Sequence, residues 1–297
     1  MPHEGMEFQP KKELLTFEEI FRLSRIFVSL GITKIRLTGG EPMVRKNLPE
    51  LVEQLAGIEG LQNLAMTTNA TLLQPHAKRL RQAGLSSLNI SLDTLHADRF
   101  MRITRRDDLD NVLGGINAAL AVGFPSLKLN VVVMSGINDD EVLDFVEFVK
   151  NTRINVRFIE YMPFKSNGWQ LDKVVTYQDL KQRIEKVYRL TPIDTEPSAV
   201  AKDFAIEGHS GSVSFITSMS DSFCSTCNRL RLTSTGSIKS CLFYPAEMSL
   251  KEALRSGATD DELVRMIMEA LAMKPEAHPP AEEILAEDNR AMIEIGG

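Results

Sequence analysis

The chain has 297 residues, and its 34 Lys and Arg against 40 Asp and Glu give a formal net charge of −6. Its composition, 43% hydrophobic and 25% charged, is that of a globular protein and excludes collagen-like, coiled-coil and disordered chains. No apolar segment approaches the ~18 residues of a membrane span, and residues 1–12 lack the apolar core of a signal peptide. We therefore expect a cytoplasmic protein that has neither a membrane nor a nucleic acid as its partner.

The first two-thirds of the sequence repeats an amphipathic helix, a glycine and a short strand. The first helix is marked by a capping box from Thr16 to Glu19 and ends at Gly31. The pattern predicts strands at 34–38, 62–67, 86–92, 127–134 and 154–160, and further helices at 48–58, 74–83, 108–122, 138–151 and 176–188. Helices between successive strands require parallel, right-handed crossovers. The sequence therefore predicts an α/β fold, either an open doubly wound sheet or a complete or partial barrel.

The predicted strands alternate apolar with polar residues, which helps to choose between these architectures. Ile35 precedes Arg36, Leu129 follows Lys128, and the segment 88–93 alternates likewise. A parallel sheet covered by helices on both faces reads as a continuous apolar run instead. The alternation favours a barrel or partial barrel with a polar lumen, although polar faces in bulk water would give the same pattern. Polar segments follow the strands, at the edge where α/β barrels hold their sites: 38–42, 67–69, 91–93 and 160–163.

The pattern changes after residue 190. The segments that follow are predicted as a loop, two hairpin strands and two helices, at 191–212, 228–233, 237–243, 248–255 and 259–273. A Pro-rich segment and a polar tail come last. We therefore divide the chain into a barrel-like part, residues 1–190, and a hairpin and helical region, residues 191–297.

Cys224, Cys227 and Cys241 are the only cysteines in the sequence. A turn near residue 235 would bring Cys241 back beside Cys227. A structural zinc site needs a fourth protein ligand, for which His209 is the nearby candidate. A redox C-x-x-C pair should open a helix, whereas this pair opens a hairpin. Three thiolates suit a four-iron cluster with one iron open to a small molecule, so an iron–sulfur cluster, a zinc site and structural thiols are the alternatives.

Arg229 and Arg231 lie on the same strand face as Cys227, because alternate residues of a strand point the same way. Two arginines on a hairpin are often solvated surface. Together with Arg36 and Lys128 on the proposed lumen face, however, they would form a cationic pocket in an acidic protein. Guanidinium and ammonium groups suit phosphate oxygens, so the sequence favours a phosphorylated substrate.

Gly39, Gly40 and Glu41 follow the first predicted strand. Two glycines after a strand usually mark a turn. They also allow a ligand to approach the backbone closely, with the Glu41 carboxylate available for an ammonium group. The segment therefore predicts either an ordinary turn or part of a ligand site.

Five sequence motifs together resemble one known family. They are KIRLTGGEP at 34–42, NISLD at 89–93, RFIEYMP at 157–163, NGW at 167–169 and FCSTCNRLRL at 223–232. This combination resembles the GTP 3′,8-cyclase family of molybdenum-cofactor biosynthesis, whose members are radical S-adenosylmethionine (SAM) enzymes, and the resemblance extends over the whole chain. It implies a partial (β/α)6 TIM-like barrel with a C-terminal hairpin and helical iron–sulfur region.

The resemblance also implies roles for individual residues. The positions that match family contacts to GTP are Arg36, Thr67, Lys128, Arg229 and Arg231. The positions that match contacts to SAM are Gly40, Ser91 and Met162, with Gly39 and Glu41 in the same loop as Gly40. A [4Fe–4S] cluster whose open iron contacts GTP is implied on Cys224, Cys227 and Cys241. The terminal Gly296 and Gly297 resemble a family tail that reaches into the active site.

The sequence departs from the family in one major respect. The family carries a C-x3-C-x2-C motif near its N-terminus, which holds a second [4Fe–4S] cluster that reduces SAM, and an upstream arginine for the triphosphate. This chain has neither, and the first barrel strand is expected to be missing as well. A fragment, or a start assigned at an internal methionine, would explain this, and a natural relative without that cluster is the alternative. The second cluster is therefore expected only in the intact protein, and the chain as given is expected to be catalytically incomplete.

The implied activity of the intact protein is that of a lyase. The reduced N-terminal cluster cleaves SAM to methionine and a 5′-deoxyadenosyl radical, which abstracts hydrogen from C3′ of GTP. The carbon radical attacks C8 of guanine and gives 3′,8-cyclo-7,8-dihydro-GTP. Implied partners are GTP, an electron donor and cyclic pyranopterin monophosphate synthase, which takes the product, and a homodimer is left open. The alternative functions are a non-catalytic protein that binds an iron–sulfur cluster and a nucleotide, or a zinc-stabilised scaffold.

Overall fold

The computed structural model describes residues 10–164, 167–221, 224–246 and 248–286. The helices in these ranges are α1 Phe17–Ser29, α2 Leu48–Ala56, α3 Leu73–Gln82, α4 Ala97–Thr104, α5 Leu109–Val122, α6 Val142–Phe148, α7 Tyr177–Glu185, α8 Leu250–Arg255, α9 Asp260–Ala272 and α10 Ala281–Ala286. The strands are β1 Lys34–Leu37, β2 Asn63–Thr68, β3 Ser87–Ser91, β4 Ser126–Val133, β5 Ile154–Glu160, β6 Leu190–Pro192, β7 Ala201–Ile206, β8 Ser212–Ile216, β9 Arg231–Leu232, β10 Ser237–Lys239 and β11 Met248–Ser249. None of the helices in the described ranges combines the length and the apolar character needed to cross a membrane.

The first helix, α1, begins at the capping box that the sequence predicts. The Thr16 hydroxyl accepts a hydrogen bond from the Glu19 N–H (3.2 Å), and the Glu19 carboxylate accepts one from the Thr16 N–H (2.7 Å). These bonds satisfy N–H groups that have no partner within the helix. Gly31, at a φ of 95°, then turns the chain toward β1.

Eight strands form one mostly parallel sheet, in the order β1-β2-β3-β4-β5-β8-β7-β6. β1 to β5 and β8 run parallel, and β7 and β6 add an antiparallel edge. Within the described residues the sheet is open, with β1 and β6 at its two edges. The prediction of an α/β fold of the partial TIM-like barrel type is therefore confirmed. The predicted hairpin is formed by β9 and β10, and β11 extends it to a separate three-stranded sheet.

The expected loop at 191–212 was wrong, because β6, β7 and the start of β8 lie in this range. β7 and β8 bury Phe204 and Phe215, whose rings meet edge to face with centroids 5.7 Å apart. These strands have only three to six residues, which is too short for a clear alternation in the sequence. The sequence also failed to predict α4 and α10, with eight and six residues, because such short helices depend on tertiary packing more than on their own pattern.

One face of the sheet is apolar and forms the main core. Leu88, Ile90, Leu129, Val156 and Phe158 are each at most 1% exposed there. They belong to one cluster with buried residues of the helices α2 to α7. Because successive strand residues point to opposite faces, burial of this set leaves the alternate residues on the other face.

A second, smaller core packs the first residues of the described chain against its C-terminal part. Leu15 and Leu23, at the start of the chain, pack with Ile238, Leu263 and Ile267 from the hairpin and α9. All five are at most 1% exposed. The segment 224–241, which contains the three cysteines and the strands β9 and β10 and which we call the cysteine hairpin, therefore packs on α1 and α9.

Hydrogen bonds also connect α8 to the segment that precedes α1. The Arg255 guanidinium, at the end of α8, donates to the carbonyl oxygens of Lys12 (2.6 Å) and Leu14 (3.0 Å), and it forms an ion pair with Glu19 (2.7 Å). These contacts satisfy two backbone carbonyls just before α1. They therefore hold both the segment before α1 and the end of α8 in a defined conformation.

Candidate functional site

The second face of the sheet carries polar side chains in two rows, which we call the polar face. The first row is Thr67, Asn89, Lys128, Asn155 and Ser212, on β2, β3, β4, β5 and β8 in turn. Because side chains alternate between faces, the strand register places all five on the same side. The structure thus shows the polar face that the strand alternation predicts.

The second row lies nearer the carboxyl ends of the parallel strands. It consists of Ser91, Asn130, Arg157 and Ser214 on β3, β4, β5 and β8, followed by Asp203 on β7. The Arg157 guanidinium donates to the Asn155 side-chain carbonyl (3.3 Å). Sequence reasoning missed both Arg157 and Asp203. The period of two in β5 was enough to find Arg157, whereas Asp203 depends on the unpredicted pairing of β7 with β8.

Six cationic side chains from the polar face and the hairpin influence one another, and we call them the cationic group: Lys34, Arg36, Lys128, Arg157, Arg229 and Arg231. Desolvation by the surrounding protein, together with the charges of Arg157, Arg229 and Arg231, lowers the pKa of Arg36 to about 10, although part of the side chain stays exposed to solvent. Arg36 and Arg157 come from β1 and β5, and the other two from the hairpin segment. The hairpin and the polar face therefore contribute positive charge to the same region.

Lys128 shows the strength of this charge most clearly. Burial, the charges of Arg157 and Lys34, and that of Arg36 lower the pKa of Lys128 to about 8, and the Asp203 carboxylate opposes the shift. Burial also lowers the pKa of Arg157, and the Asp203 carboxylate again opposes the shift. Positive charge concentrated in this way creates a potential that attracts anions.

Several buried polar atoms on the same face make no hydrogen bond with the described residues. They are Asn63 Oδ1, Thr67 Oγ1, Asn89 Oδ1 and Nδ2, and Asn130 Oδ1. Asn89 is only 1% exposed and Thr67 only 9%. Because buried polar groups nearly always have a partner, this set of atoms is available to hydrogen-bond water or a polar ligand.

The Glu41 carboxylate is engaged within the protein. It accepts hydrogen bonds from the Thr68 hydroxyl (2.7 Å), the Asn69 N–H (2.7 Å) and the Met43 N–H (3.1 Å). These bonds tie the loop after β1 to the end of β2. Gly39 has a φ of 138°, a conformation that favours glycine. Glu41 thus shapes the glycine loop, and its contact with SAM or an ammonium group stays a prediction.

The loop after β5 is shaped by its NGW motif. The Asn167 side chain donates to the Met162 carbonyl (2.8 Å) and accepts from the Trp169 N–H (3.1 Å), and the Trp169 indole donates to the Tyr161 carbonyl (2.8 Å). Met162 packs against a small apolar cluster that includes Phe243 of the segment after β10. Of the other residues predicted to contact SAM, Gly40 and Ser91 are exposed at the carboxyl ends of β1 and β3.

Glu160, at the end of β5, fixes the segment that leads to the cysteines. It is 1% exposed and accepts hydrogen bonds from the N–H groups of Tyr177 (2.9 Å), Met219 (2.7 Å) and Ser220 (2.8 Å), and from the Ser220 hydroxyl. A buried carboxylate is stable only with such partners. Sequence reasoning assigned Glu160 no role, because its partners lie 17 to 60 residues further along the chain.

The cysteine segment folds back on itself as the hairpin prediction requires. The Cys227 N–H donates to the Cys224 carbonyl (3.0 Å) across a 3₁₀ turn. The pKa of Arg231 is lowered to about 10 by burial and by Arg229, while the Cys241 and Cys227 thiols both oppose the shift. Both thiols therefore lie near Arg231. None of the three cysteines forms a disulfide, and each is partly buried.

The Cys227 thiol is the best defined of the three. Burial raises its pKa, but the backbone N–H and guanidinium of Arg229, together with the Lys274 ammonium, outweigh this effect and the pKa is lowered. The thiolate is the form that binds metal. Within the described ranges, no three His, Cys, Asp or Glu side chains converge on a single metal ion. Gly296 and Gly297 lie outside the described residues.

Two family models match the chain: the radical SAM superfamily over residues 2–149 and Molybdenum Cofactor Synthesis C over residues 154–280. The mitochondrial GTP 3′,8-cyclase of Arabidopsis thaliana is 49% identical over 298 residues, which cover 100% of this chain and 76% of the relative. The GTP 3′,8-cyclase of Moorella thermoacetica is 44% identical, covering 100% of this chain and 92% of the relative. The chain belongs to the GTP 3′,8-cyclase family.

Other relatives in the GTP 3′,8-cyclase family are longer. Molybdenum cofactor biosynthesis protein 1 of Mus musculus is 46% identical, and the chain spans 47% of its length. Among solved structures, Streptococcus suis SuiB aligns with a TM-score of 0.57 at 14% identity, over 95% of this chain and 63% of that chain. This likeness concerns the fold alone, which is the partial barrel described above.

Membership of the radical SAM superfamily implies a [4Fe–4S] cluster and SAM. The range that matches the radical SAM model, residues 2–149, contains no cysteine, and all three cysteines lie within the range of the C-terminal model. Any cluster bound by cysteines of this chain must therefore be bound at the hairpin.

Proposed function

We propose that the chain binds GTP between the polar face and the cysteine hairpin, and that this is the substrate site of a GTP 3′,8-cyclase. The reaction, a lyase reaction of molybdenum-cofactor biosynthesis, converts GTP to 3′,8-cyclo-7,8-dihydro-GTP. The observation that carries the proposal is the cationic group, because its charges repel one another and come from both sides of the site. A nucleoside triphosphate supplies the concentrated negative charge that such a group requires.

Each predicted GTP residue has a role in this proposal. Arg229 and Arg231 hold the nucleotide beside the hairpin, and Arg36 and Lys128 approach the triphosphate from β1 and β4. The buried Thr67 hydroxyl, which has no partner among the described residues, donates to a nucleotide oxygen. We add Lys34 and Arg157 to the cationic residues, since their charges lower the pKa of Lys128.

We further propose a [4Fe–4S] cluster on Cys224, Cys227 and Cys241. The donor set supports it: three cysteines that form no disulfide, one of which has its thiol pKa lowered by Arg229 and Lys274. Each cysteine of such a cluster binds a different iron, so the three sulfurs need not converge on one ion. When bound, the cluster supplies an open iron that acts as a Lewis acid toward the substrate.

We place the SAM site at the carboxyl ends of β1, β3 and β5, with Gly39, Gly40, Glu41, Ser91 and Met162 around it. The left-handed Gly39 and the exposed Gly40 and Ser91 support this placement, because they leave the backbone open to a ligand. SAM supplies the 5′-deoxyadenosyl radical when a second cluster reduces it. Three cysteines hold one cluster, so we expect no reductive cleavage of SAM by the chain as given.

The proposed partners follow from this chemistry. An electron donor reduces the second cluster in the intact protein, and cyclic pyranopterin monophosphate synthase takes the product. A homodimer and a cytoplasmic location belong to the same proposal.

Anaerobic reconstitution with iron and sulfide, followed by GTP titration, tests the proposed function. We expect about four irons per chain and measurable GTP binding. Arg36→Ala should weaken GTP binding about 10- to 150-fold without loss of iron, since a charged hydrogen bond contributes roughly 1.5–3 kcal/mol. Arg79→Ala is the matched control, because Arg79 is exposed and pairs with Glu53 on α2 at 3.4 Å.

Three results would contradict parts of this proposal. Stoichiometric zinc with little iron would favour the zinc-stabilised scaffold. An unchanged GTP affinity in Arg36→Ala would place the phosphates away from the cationic group. Cluster and GTP binding without turnover, in a protein that also holds the second cluster, would favour a non-catalytic relative.

A further inference from the structure

Lys274, two residues beyond α9, reaches the cysteine hairpin. Its ammonium donates hydrogen bonds to the carbonyl oxygens of Cys227 (2.8 Å) and Arg229 (2.9 Å) and lies 3.6 Å from Cys227 Sγ. A lysine ammonium has three donors, and all three are directed at this one short segment. The contact joins residues 47 positions apart, and no motif in the sequence indicates it.

The helix α9 holds this lysine in a fixed position. The helix buries Leu263, Ile267 and Ala270, each 0% exposed, in the second core. The Lys274 N–H still bonds to the Leu271 carbonyl (3.1 Å), so the backbone at Lys274 continues the helix end. The ammonium therefore extends from a rigid element toward a segment that has little regular pairing of its own.

The two carbonyls that Lys274 binds belong to functionally important neighbours. Cys227 is a proposed cluster ligand, and Arg229 is a proposed GTP contact. Fixing both carbonyls fixes the direction in which both side chains leave the backbone. A positive charge 3.6 Å from the sulfur also stabilises negative charge on that sulfur. Local charge and hydrogen bonds to the cysteine sulfurs are among the factors that set the reduction potential of an iron–sulfur cluster.

We propose that Lys274 is a positioning residue of the cysteine site, which fixes the segment from Cys227 to Arg229 and stabilises the reduced, more negative state of a cluster on the three thiols. The second part rests on the proposed cluster. The first part rests only on hydrogen bonds within the chain, so the two parts can be tested separately.

The test compares Lys274→Met with Lys274→Arg and with Lys251→Met. Methionine keeps the length and the apolar stem of the lysine but removes the charge and all three donors. Arginine keeps the charge and can bond to the same carbonyls. Lys251→Met is the matched control, because Lys251 is only 12% exposed and its ammonium pairs with Glu13 (2.6 Å), while its backbone N–H bonds to Gly236 in the hairpin turn, outside residues 227–231.

Hydrogen exchange at residues 227–231, measured without iron, tests the first part. In Lys274→Met we expect these amides to exchange about tenfold faster than in the parent, because the segment loses two of its hydrogen bonds. Lys251→Met should leave this segment unchanged, and Lys274→Arg should restore most of the protection.

The midpoint potential of the reconstituted cluster, read by electron paramagnetic resonance, tests the second part. Lys274→Met should disfavour the reduced state about tenfold, a shift of about 59 mV to lower potential for a one-electron couple. Lys274 is not a ligand, so any change in iron content would come from displacement of the segment that it positions. Lys274→Arg should keep the parent potential.

Exchange and potential in Lys274→Met that match those of Lys251→Met would overturn the proposal and leave Lys274 as a helix-end contact. Loss of iron in Lys274→Met but not in Lys251→Met would support the positioning role, and the potential would then be read in Lys274→Arg and Lys274→Gln. If the parent chain binds no cluster, the proposed function fails, and the exchange measurement alone decides whether Lys274 fixes the segment.

Discussion

The polar face and the cysteine hairpin hold their functional residues in different ways. On the polar face, β4 and β5 pair continuously from Leu127 to Val133, so that the backbone itself sets the position of each side chain. In the hairpin, β9 and β10 pair over only two residues. The hairpin is held instead by side chains from distant parts of the chain, such as Lys274, and Glu160 fixes the segment that precedes it.

This difference has a functional consequence. Residues on a paired strand keep their places when a distant side chain is changed, because the register is fixed by many backbone bonds. Residues on the hairpin depend on the second core and on single hydrogen bonds. We therefore expect changes far from the site to disturb the cysteines before they disturb the cationic residues of the sheet.

The largest expected effect on stability comes from truncating a buried side chain in each core. Leu88→Ala in the main core and Ile267→Ala in the second core both remove groups that are 0% exposed, at a cost of about 2–5 kcal/mol in unfolding free energy. Urea unfolding followed by circular dichroism reports the whole chain, and thiol alkylation reports the hairpin, because all three cysteines lie there.

In Ile267→Ala we expect the thiols to react at lower urea concentration than the main transition. In Leu88→Ala both signals should shift together. If both signals shift together in both variants, the two cores unfold as one unit, and the contrast between the regions is wrong.

The next effect compares a cation from each region. Arg231→Ala, in the hairpin, and Arg157→Ala, on β5, should each weaken GTP binding about 10- to 150-fold, the value expected for losing one charged hydrogen bond. Lysine should substitute poorly for either, because it lacks the planar fork. Anaerobic titration with iron counted in the same samples is the measurement. If Arg231→Ala leaves the GTP affinity unchanged and Arg157→Ala does not, the phosphates bind on the side of the site that the sheet forms.

The smallest effect is a dependence on pH that belongs to the sheet. Lys128 has a pKa of about 8, so its side chain is positively charged below that pH and loses the charge as the pH rises through 8. GTP affinity should therefore be constant near pH 7 and fall about tenfold by pH 9. Lys128→Arg should remove this fall, because arginine keeps its charge. A fall of the same size in Lys128→Arg would assign it to another group.

Much of the sheet could be predicted from the sequence, because its information is local. The capping box at Thr16, the alternation around Arg36 and Lys128, and the crossover helices gave the parallel part of the fold and its polar face. The same period of two could have added Lys34, which shares strand parity with Arg36, and Arg157, which alternates with the buried residues of β5. The division of the chain at residue 190 stays a prediction.

The remaining features depend on contacts between residues far apart in the chain, which local patterns do not record. Asp203 faces the polar face only because β7 pairs antiparallel with β8. Glu160 and Lys274 carry no distinctive spacing, and their roles come from partners up to 60 residues away. The hairpin was predicted as a local turn, but not the side chains that hold it.

The contact between α8 and the segment before α1 also determines when this part of the fold can form during biosynthesis. Arg255 binds the Leu14 carbonyl across 241 positions, so a ribosome adding about 5–20 residues per second needs roughly 12–48 s to complete that contact. The parallel strands β1 to β5 emerge well before then and can pair as they appear. We therefore expect the cysteine segment to reach its final position only when translation of the chain is nearly finished.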